Sequence, residues 1–218
     1  LPRKGGDCAV IAAFANLQCG RRRANGEAAD LPPCGGDVRQ DRGGCLGAIP
    51  VVSAITLRPG TIDDVDTMHA ALLKLGSHIG AHQEITSTSD DLRRYGFGEK
   101  PAFFTLIAEV SGEFAGLCLY FPIFSTWMGR PGVYVQDLYV EDRFRGRKIG
   151  ERLLRCVAAE CRKDGGVYLR LSVDTDNEGA KAFYERLGIG WAHYEQTQKI
   201  VGEAFFAFAD AVQDGETE

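Results

Sequence analysis

The sequence predicts one mixed α/β domain, on three observations. From Ala54 onward, runs of strand composition alternate with runs of helical periodicity. Two strand-like runs, 103–110 and 114–124, are joined by the short turn Ser111-Gly112-Glu113, a hairpin signal. A third strand-like run, 133–140, ends in a basic, glycine-containing loop that opens a helix.

Taken in order, Ala54-Ile55-Thr56-Leu57-Arg58 reads as a strand that Pro59-Gly60 ends. Thr61 caps a helix through about Leu75, with Val65, Met68, Leu72 and Leu75 on one apolar face. A short helix over 89–95 stops at Gly96. After the hairpin and the third strand, Ile149, Leu153, Leu154, Val157 and Cys161 mark the buried stripe of a helix that runs to about Lys163. Gly165-Gly166 breaks it, and 167–173 returns as a strand. A helix over 177–187, strands near 191–194 and 197–201, and a closing helix after Gly202 complete the order.

Residues 51–218 are expected to form that domain, and residues 1–50 to stand apart as a disordered or extraneous segment. The first fifty residues are rich in Gly, Arg, Ala and Pro, as in Gly20-Arg21-Arg22-Arg23, and lack periodicity. Such a stretch buries too little apolar surface to offset its ordering entropy. Its run from Ala9 to Leu17 imitates a signal peptide only faintly, because no small-residue cleavage site follows cleanly.

The chain of 218 residues has 44% hydrophobic and 25% charged residues, a globular composition, with a formal net charge of −5. Residues 1–50 hold seven Lys/Arg against five Asp/Glu, so the negative excess lies in residues 51–218. An acidic body argues against nucleic acid and acidic lipid as partners and suits a cationic substrate. No apolar run approaches the ~20 residues of a membrane span. The seven cysteines include no C-x-x-C pair, and Cys156 and Cys161, five apart on one helix, are expected on different faces. They read as free thiols in a reducing cytoplasm, with no metal site.

The loop Glu141-Asp142-Arg143-Phe144-Arg145-Gly146-Arg147-Lys148-Ile149-Gly150 carries the chemistry. A helix N-terminus presents unpaired N–H groups and partial positive charge, which suits phosphate. Gly146 and Gly150 allow close approach to the backbone, and Arg145, Arg147 and Lys148 add charge. The spacing fits neither a Walker loop nor the dinucleotide G-x-G-x-x-G. Taken alone, the segment also reads as a solvated basic turn.

Arg145-Gly146-Arg147-Lys148-Ile149-Gly150 resembles the R/Q-x-x-G-x-G/A signature of the GNAT acetyltransferases, with Lys148 where the first fixed glycine usually stands. Leu92-Arg93-Arg94-Tyr95-Gly96-Phe97-Gly98-Glu99-Lys100-Pro101 is similar to the diamine (spermidine/spermine) and thialysine branch. So are Phe124-Ser125-Thr126-Trp127-Met128-Gly129-Arg130-Pro131-Gly132 and the segment from Asn177 to Gly188, and the likeness covers about 54–210. It implies a GNAT-type acyl-CoA N-acyltransferase fold: a mixed, mostly antiparallel sheet with one splayed parallel pair, flanked by helices.

The resemblance further implies acetyl-CoA as donor and a small-molecule amine as acceptor, with a homodimer as the assembly. By resemblance, the backbone of Leu138, Tyr139 and Val140 pairs with pantetheine, and Gly146 to Glu151 wrap the pyrophosphate. Asn177, Glu178, Gly179 and Ala180 border the coenzyme. Tyr184 matches the family's catalytic tyrosine. A phenol, titrating at about 10, stays protonated at neutral pH and can give its proton to a departing thiolate; helix packing is the alternative role.

Gln136 stands where polyamine-specific relatives carry an acid, and an amide cannot act as a base. Asp137 is adjacent, but strand alternation is expected to point it to the other face. His78, His82 and Glu84 are the local candidates for a second acceptor-side group, and His82 can take a proton near neutral pH; a solvated loop histidine is the plainer reading. The pattern leaves open a protein, peptide or aminoglycoside-like acceptor, and a non-catalytic acyl-CoA-binding domain.

Overall fold

The computed structural model describes residues 54–80 and 82–211. The reading of residues 1–50 as a separate segment lies outside them.

Five strands form one sheet: β1 (Ile55–Pro59), β2 (Phe104–Val110), β3 (Glu113–Ser125), β4 (Arg130–Val140) and β5 (Tyr168–Leu171), in that spatial order. The first four are antiparallel neighbours, and β4 and β5 are parallel. Helices α1 (Val65–His78) and α2 (Ser89–Phe97) precede β2, and α3 (Ile149–Lys163) supplies the crossover from β4 to β5. Helices α4 (Glu178–Arg186) and α5 (Glu203–Asp210) follow.

The local rules hold for most of these. Thr61 N–H donates to Asp64 Oδ2 at 2.7 Å, forming a capping box over a 3₁₀ turn, Ile62–Asp64, that leads into α1. Arg58 clamps the same carboxylate at 2.7 Å and Glu109 at 2.8 Å, tying β1 to that turn. Ser111 (φ 54°) and Gly112 (φ 81°) both turn left-handed at the β2–β3 hairpin, the backbone that a tight hairpin turn demands.

Each face of the sheet has its own core. Val65, Met68, Ala71 and Leu92 of α1 and α2 pack on Ile107, Leu117, Leu119 and Tyr139. On the other face Ile149, Leu153, Leu154 and Val157 of α3 pack on Leu106, Ala108, Cys118, Val133 and Val135, with Phe183 and Tyr184 of α4 at the margin. Each large aliphatic side chain so buried contributes ~1.5–3 kcal/mol. Cys156 and Cys161 flank the α3 stripe and both touch this second core as free thiols, so their separation of five residues does not send one of them to solvent.

Two expectations are corrected. Helix α2 does not stop at Gly96 but runs on to Phe97, and a Cβ on Gly96 would stand 2.5 Å from Phe103 Cζ. That glycine serves packing, not termination. The strands expected near 191–194 and 197–201 are absent among the described residues, so the sheet ends at β5. Trp191 and Tyr194 are 83% and 78% exposed, so the segment buries no apolar face that would offset the ordering of a strand.

Candidate active site

Strands β4 and β5 pair over only four residues, from Gly132 opposite Tyr168 to Val135 opposite Leu171. β4 then continues to Val140 with no partner on its β5 side among the described residues. The cause is visible in the register with β3. Tyr120 stands opposite Val135 and Leu119 opposite Asp137, which leaves Gln136 as the extra residue of a β-bulge. A bulge bends its strand, and here the parting from β5 begins beside it.

Along this free edge lie Leu138, Tyr139 and Val140, whose other side pairs with Cys118, Leu117 and Gly116 of β3. Leu138 and Val140 pack toward α3, while Tyr139 is buried beneath α1, where burial and the neighbouring Glu141 push its phenol up to about 12. The Val140 carbonyl accepts a hydrogen bond from Arg145 Nε at 3.3 Å.

Beyond Val140 a 3₁₀ turn, Asp142–Phe144, leads into the glycine loop. Gly146 has φ +77°, and a Cβ there would meet nothing within 4 Å, so this backbone lies open. Lys148 is the residue before α3 and has φ 60°, the left-handed region in which a Cβ is strained. The glycine usual at this point of the signature therefore has a backbone reason. The first helical bond of α3 is Arg152 N–H to the Lys148 carbonyl, which leaves the N–H groups of Ile149, Gly150 and Glu151 without an acceptor inside the helix.

Gly150 plays a different part from the one its spacing suggests. A Cβ on it would lie 3.3 Å from Phe183 Cζ, so its bareness lets α4 approach α3. Charge at the turn is partly spent. Arg145 pairs with Asp142 at 2.9 Å and Arg143 with Glu113 at 2.8 Å. Arg147 lies 5.4 Å from the centre of the Phe144 ring, and among the described residues no carboxylate pairs with it or with Lys148. Glu151 holds Arg155 at 2.9 Å along α3.

Asn177 caps α4, its Oδ1 accepting from Ala180 N–H at 3.0 Å, and Glu178 pairs with Lys181 at 2.7 Å. A Cβ on Gly179 would meet only Asn177 Oδ1, at 3.7 Å. Tyr184 sits against the α3-side core with its ring 5.2 Å from that of Phe183. Burial, with the Cys118 thiol nearby, pushes its phenol up to about 12, so it is protonated at neutral pH. Both proposed roles of Tyr184, packing and proton donation, are compatible with this placement.

At the end of α1, His78 Nε2 lies 3.5 Å from Asp142 Oδ1, and Lys74 pairs with Glu141 at 2.6 Å. The end of α1 thus docks on the loop that follows β4. His82 begins a 3₁₀ turn, His82–Glu84, and its side chain lies outside what the structure describes. Gln136 is exposed. Asp137 is partly buried, and burial pushes its carboxyl up to about 6. The alternation that set Asp137 aside fails here, because a bulge adds one residue to the count. A bulge has no signal in this sequence. Thr105 of β2 is opposite Leu119 in the same row and is also missing from the sequence-derived candidates; its buried hydroxyl has no hydrogen-bond partner. No group of three or more His, Cys, Asp or Glu that could hold a metal occurs among the described residues.

The model of the acetyltransferase (GNAT) family matches residues 73–189. A thialysine N-epsilon-acetyltransferase of Sus scrofa is 31% identical over 145 residues, spanning 63% of this chain and 85% of the relative. The Mus musculus protein of the same name is 38% identical over 116 residues, 50% of this chain and 67% of the relative. Among solved structures, an integron cassette protein from V. cholerae superposes with a TM-score of 0.61 at 18% identity, covering 71% of this chain and 97% of its own. A strand that parts from its parallel neighbour, a left-handed turn and an open helix start thus coincide with the matched segment, and the chain belongs to the GNAT family of acetyltransferases.

Proposed function

We propose that this acetyltransferase moves an acetyl group from acetyl-CoA to a primary amine of a small molecule, of the diamine, polyamine or thialysine-like kind. One observation carries the reading. The unpartnered edge of β4 runs directly into an open left-handed turn and an uncapped helix start, with Arg147 and Lys148 free of carboxylate partners among the described residues. An extended amide-bearing chain ending in a diphosphate fits that sequence of donors.

Acetyl-CoA, when bound, supplies the activated thioester. The edge of Leu138, Tyr139 and Val140 holds the pantetheine, and the N–H groups from Gly146 to Glu151 hold the diphosphate. Asn177, Glu178, Gly179 and Ala180 border it from α4. Tyr184, kept neutral by burial, gives its proton to the sulfur that leaves. The acceptor approaches from the α1 side, past His78 and His82.

The assembly in this reading is a homodimer. Trp191, Tyr194, Phe205, Phe206 and Phe208 are all exposed, apolar surface that a second copy of the chain could cover. The free thiols Cys118, Cys156 and Cys161 suit a reducing compartment such as the cytoplasm.

A thiol-release assay with acetyl-CoA against diamines, polyamines, lysine analogues and aminoglycosides tests the assignment. Turnover of a simple amine is the expected result. Coenzyme binding without thiol release on any amine would make the chain an acyl-CoA-binding domain instead. Turnover of aminoglycosides alone would move the acceptor to that class.

A further inference from the structure

We propose that Asp137, not Gln136, receives the proton that the acceptor ammonium must lose before it can attack the thioester; the proposal rests on the function given above.

The bulge at Gln136 decides which side chain is presented. Asp137 stands opposite Leu119, and directly opposed residues of an antiparallel pair share a face. Leu119 belongs to the core beneath α1 and α2, so Asp137 lies on the acceptor side of β4. It is two residues beyond the last β4–β5 pair, where the two strands have parted. Gln136, the inserted residue, is turned out to solvent.

The charges around this point favour the same residue. Glu141 and Asp142 at the end of β4 are already engaged, by Lys74 and by His78 and Arg145. No salt bridge reaches Asp137 among the described residues. The titratable group that feels its charge is Cys118 of β3. Burial pushes that thiol up to about 12, so it is uncharged at neutral pH. Asp137 is then the carboxylate left to attract a cation. Its own carboxyl, raised to about 6 by burial, is a better proton acceptor than an ordinary surface aspartate.

The step balances as follows. The ammonium gives one proton to the Asp137 carboxylate, and the freed lone pair forms the C–N bond. The C–S electron pair departs with sulfur, which takes the phenolic proton of Tyr184. The remaining extra proton on nitrogen returns to the phenolate, and Asp137 releases its own to solvent. Ammonium and thioester become amide, thiol and one proton.

The experiment follows kcat/KM against pH with thialysine and acetyl-CoA for the parent, Asp137→Asn, Asp137→Glu and Gln136→Ala. Asp137→Asn should fall at least ~100-fold near neutrality, as loss of a general base does, and regain much of that above pH ~9, where the amine begins to deprotonate unaided. Asp137→Glu should restore activity to within about tenfold of the parent. Gln136→Ala should track the parent, and the KM for acetyl-CoA should stay constant throughout. Parental activity in Asp137→Asn, or a loss of the same size at both pH values, would overturn the proposal. If Asp137→Asn does not fold, Asp137→Glu decides: a rate within about tenfold of the parent with a displaced acid limb supports Asp137, and an acid limb identical with the parent's overturns the proposal. A parent that releases no thiol with any amine fails at the level of the function itself, whereas an active parent matched by Asp137→Asn removes only Asp137.

Discussion

Gly150 at the start of α3 lies against Phe183 of α4, so closely that a Cβ on the glycine would stand 3.3 Å from Phe183 Cζ. The next residue of α4 is Tyr184, whose ring contacts Phe183 edge-on. The start of α3 and the Tyr184 phenol are therefore joined through one aromatic ring. Gly150→Val should push Phe183 aside and carry Tyr184 with it, costing ~1–3 kcal/mol as overpacking does. A lower urea midpoint together with a reduced kcat is expected. An unchanged midpoint would show that α4 does not rest on α3 here.

Tyr184→Phe keeps the ring and removes the proton. Turnover should fall at least ~100-fold while acetyl-CoA affinity stays near the parent value. Steady-state kinetics paired with calorimetric binding reads both quantities, and equal rates would leave Tyr184 a packing residue only.

Gly146 holds φ +77° beside open space. Gly146→Val places a β-branched side chain in a left-handed position and fills the approach to the backbone. The KM for acetyl-CoA should rise at least ~10-fold, since one good charge-assisted contact is worth ~1.5–3 kcal/mol. A KM that does not move would take the diphosphate away from this loop.

Lys148, at φ 60°, is the counterpart experiment. Lys148→Gly relieves a left-handed Cβ and should stabilise the fold by ~1 kcal/mol. Chemical denaturation monitored by far-UV circular dichroism checks it, and a destabilised variant would mean that the lysine side chain holds the turn.

Thr105 is only 6% exposed, and its Oγ1 has no hydrogen-bond partner. Thr105→Val exchanges that hydroxyl for a methyl group of similar shape and should stabilise the protein by ~1 kcal/mol. A loss of stability would reveal a partner for the hydroxyl, such as bound water.

Periodicity and turn chemistry place the five strands and five helices found among the described residues; α1 to α4 each have a buried stripe or a capping residue of their own, whereas the exposed α5 is marked by the Gly202 before it. Thr61, Ser111-Gly112 and Gly165-Gly166 are local signals with local causes. The two further strands near 191–194 and 197–201 had suitable residues but no neighbour to bury them, and burial is a tertiary fact. Gly96 looked like a stop because glycine weakens helices, yet the Phe103 ring that makes it necessary is seven residues away. Among the candidate site residues, the loop from Arg145 to Gly150 is legible as a basic, glycine-containing turn from its composition alone. The placement of Asp137 is not, since its face depends on how β3 and β4 are registered, which no spacing along one strand reveals.

The single residue inserted at Gln136 couples two properties that a regular ladder would keep separate. Were β4 to pair without that offset, with Gln136 itself opposite Leu119, β4 could zip further along β5, closing the cleft, while every side chain from Asp137 to Val140 would swap parity and trade hydrophobic neighbours. Deleting Gln136, by contrast, would keep Asp137 opposite Leu119 and remove only the bend, so it is the register of the inserted residue that holds cleft and carboxylate together.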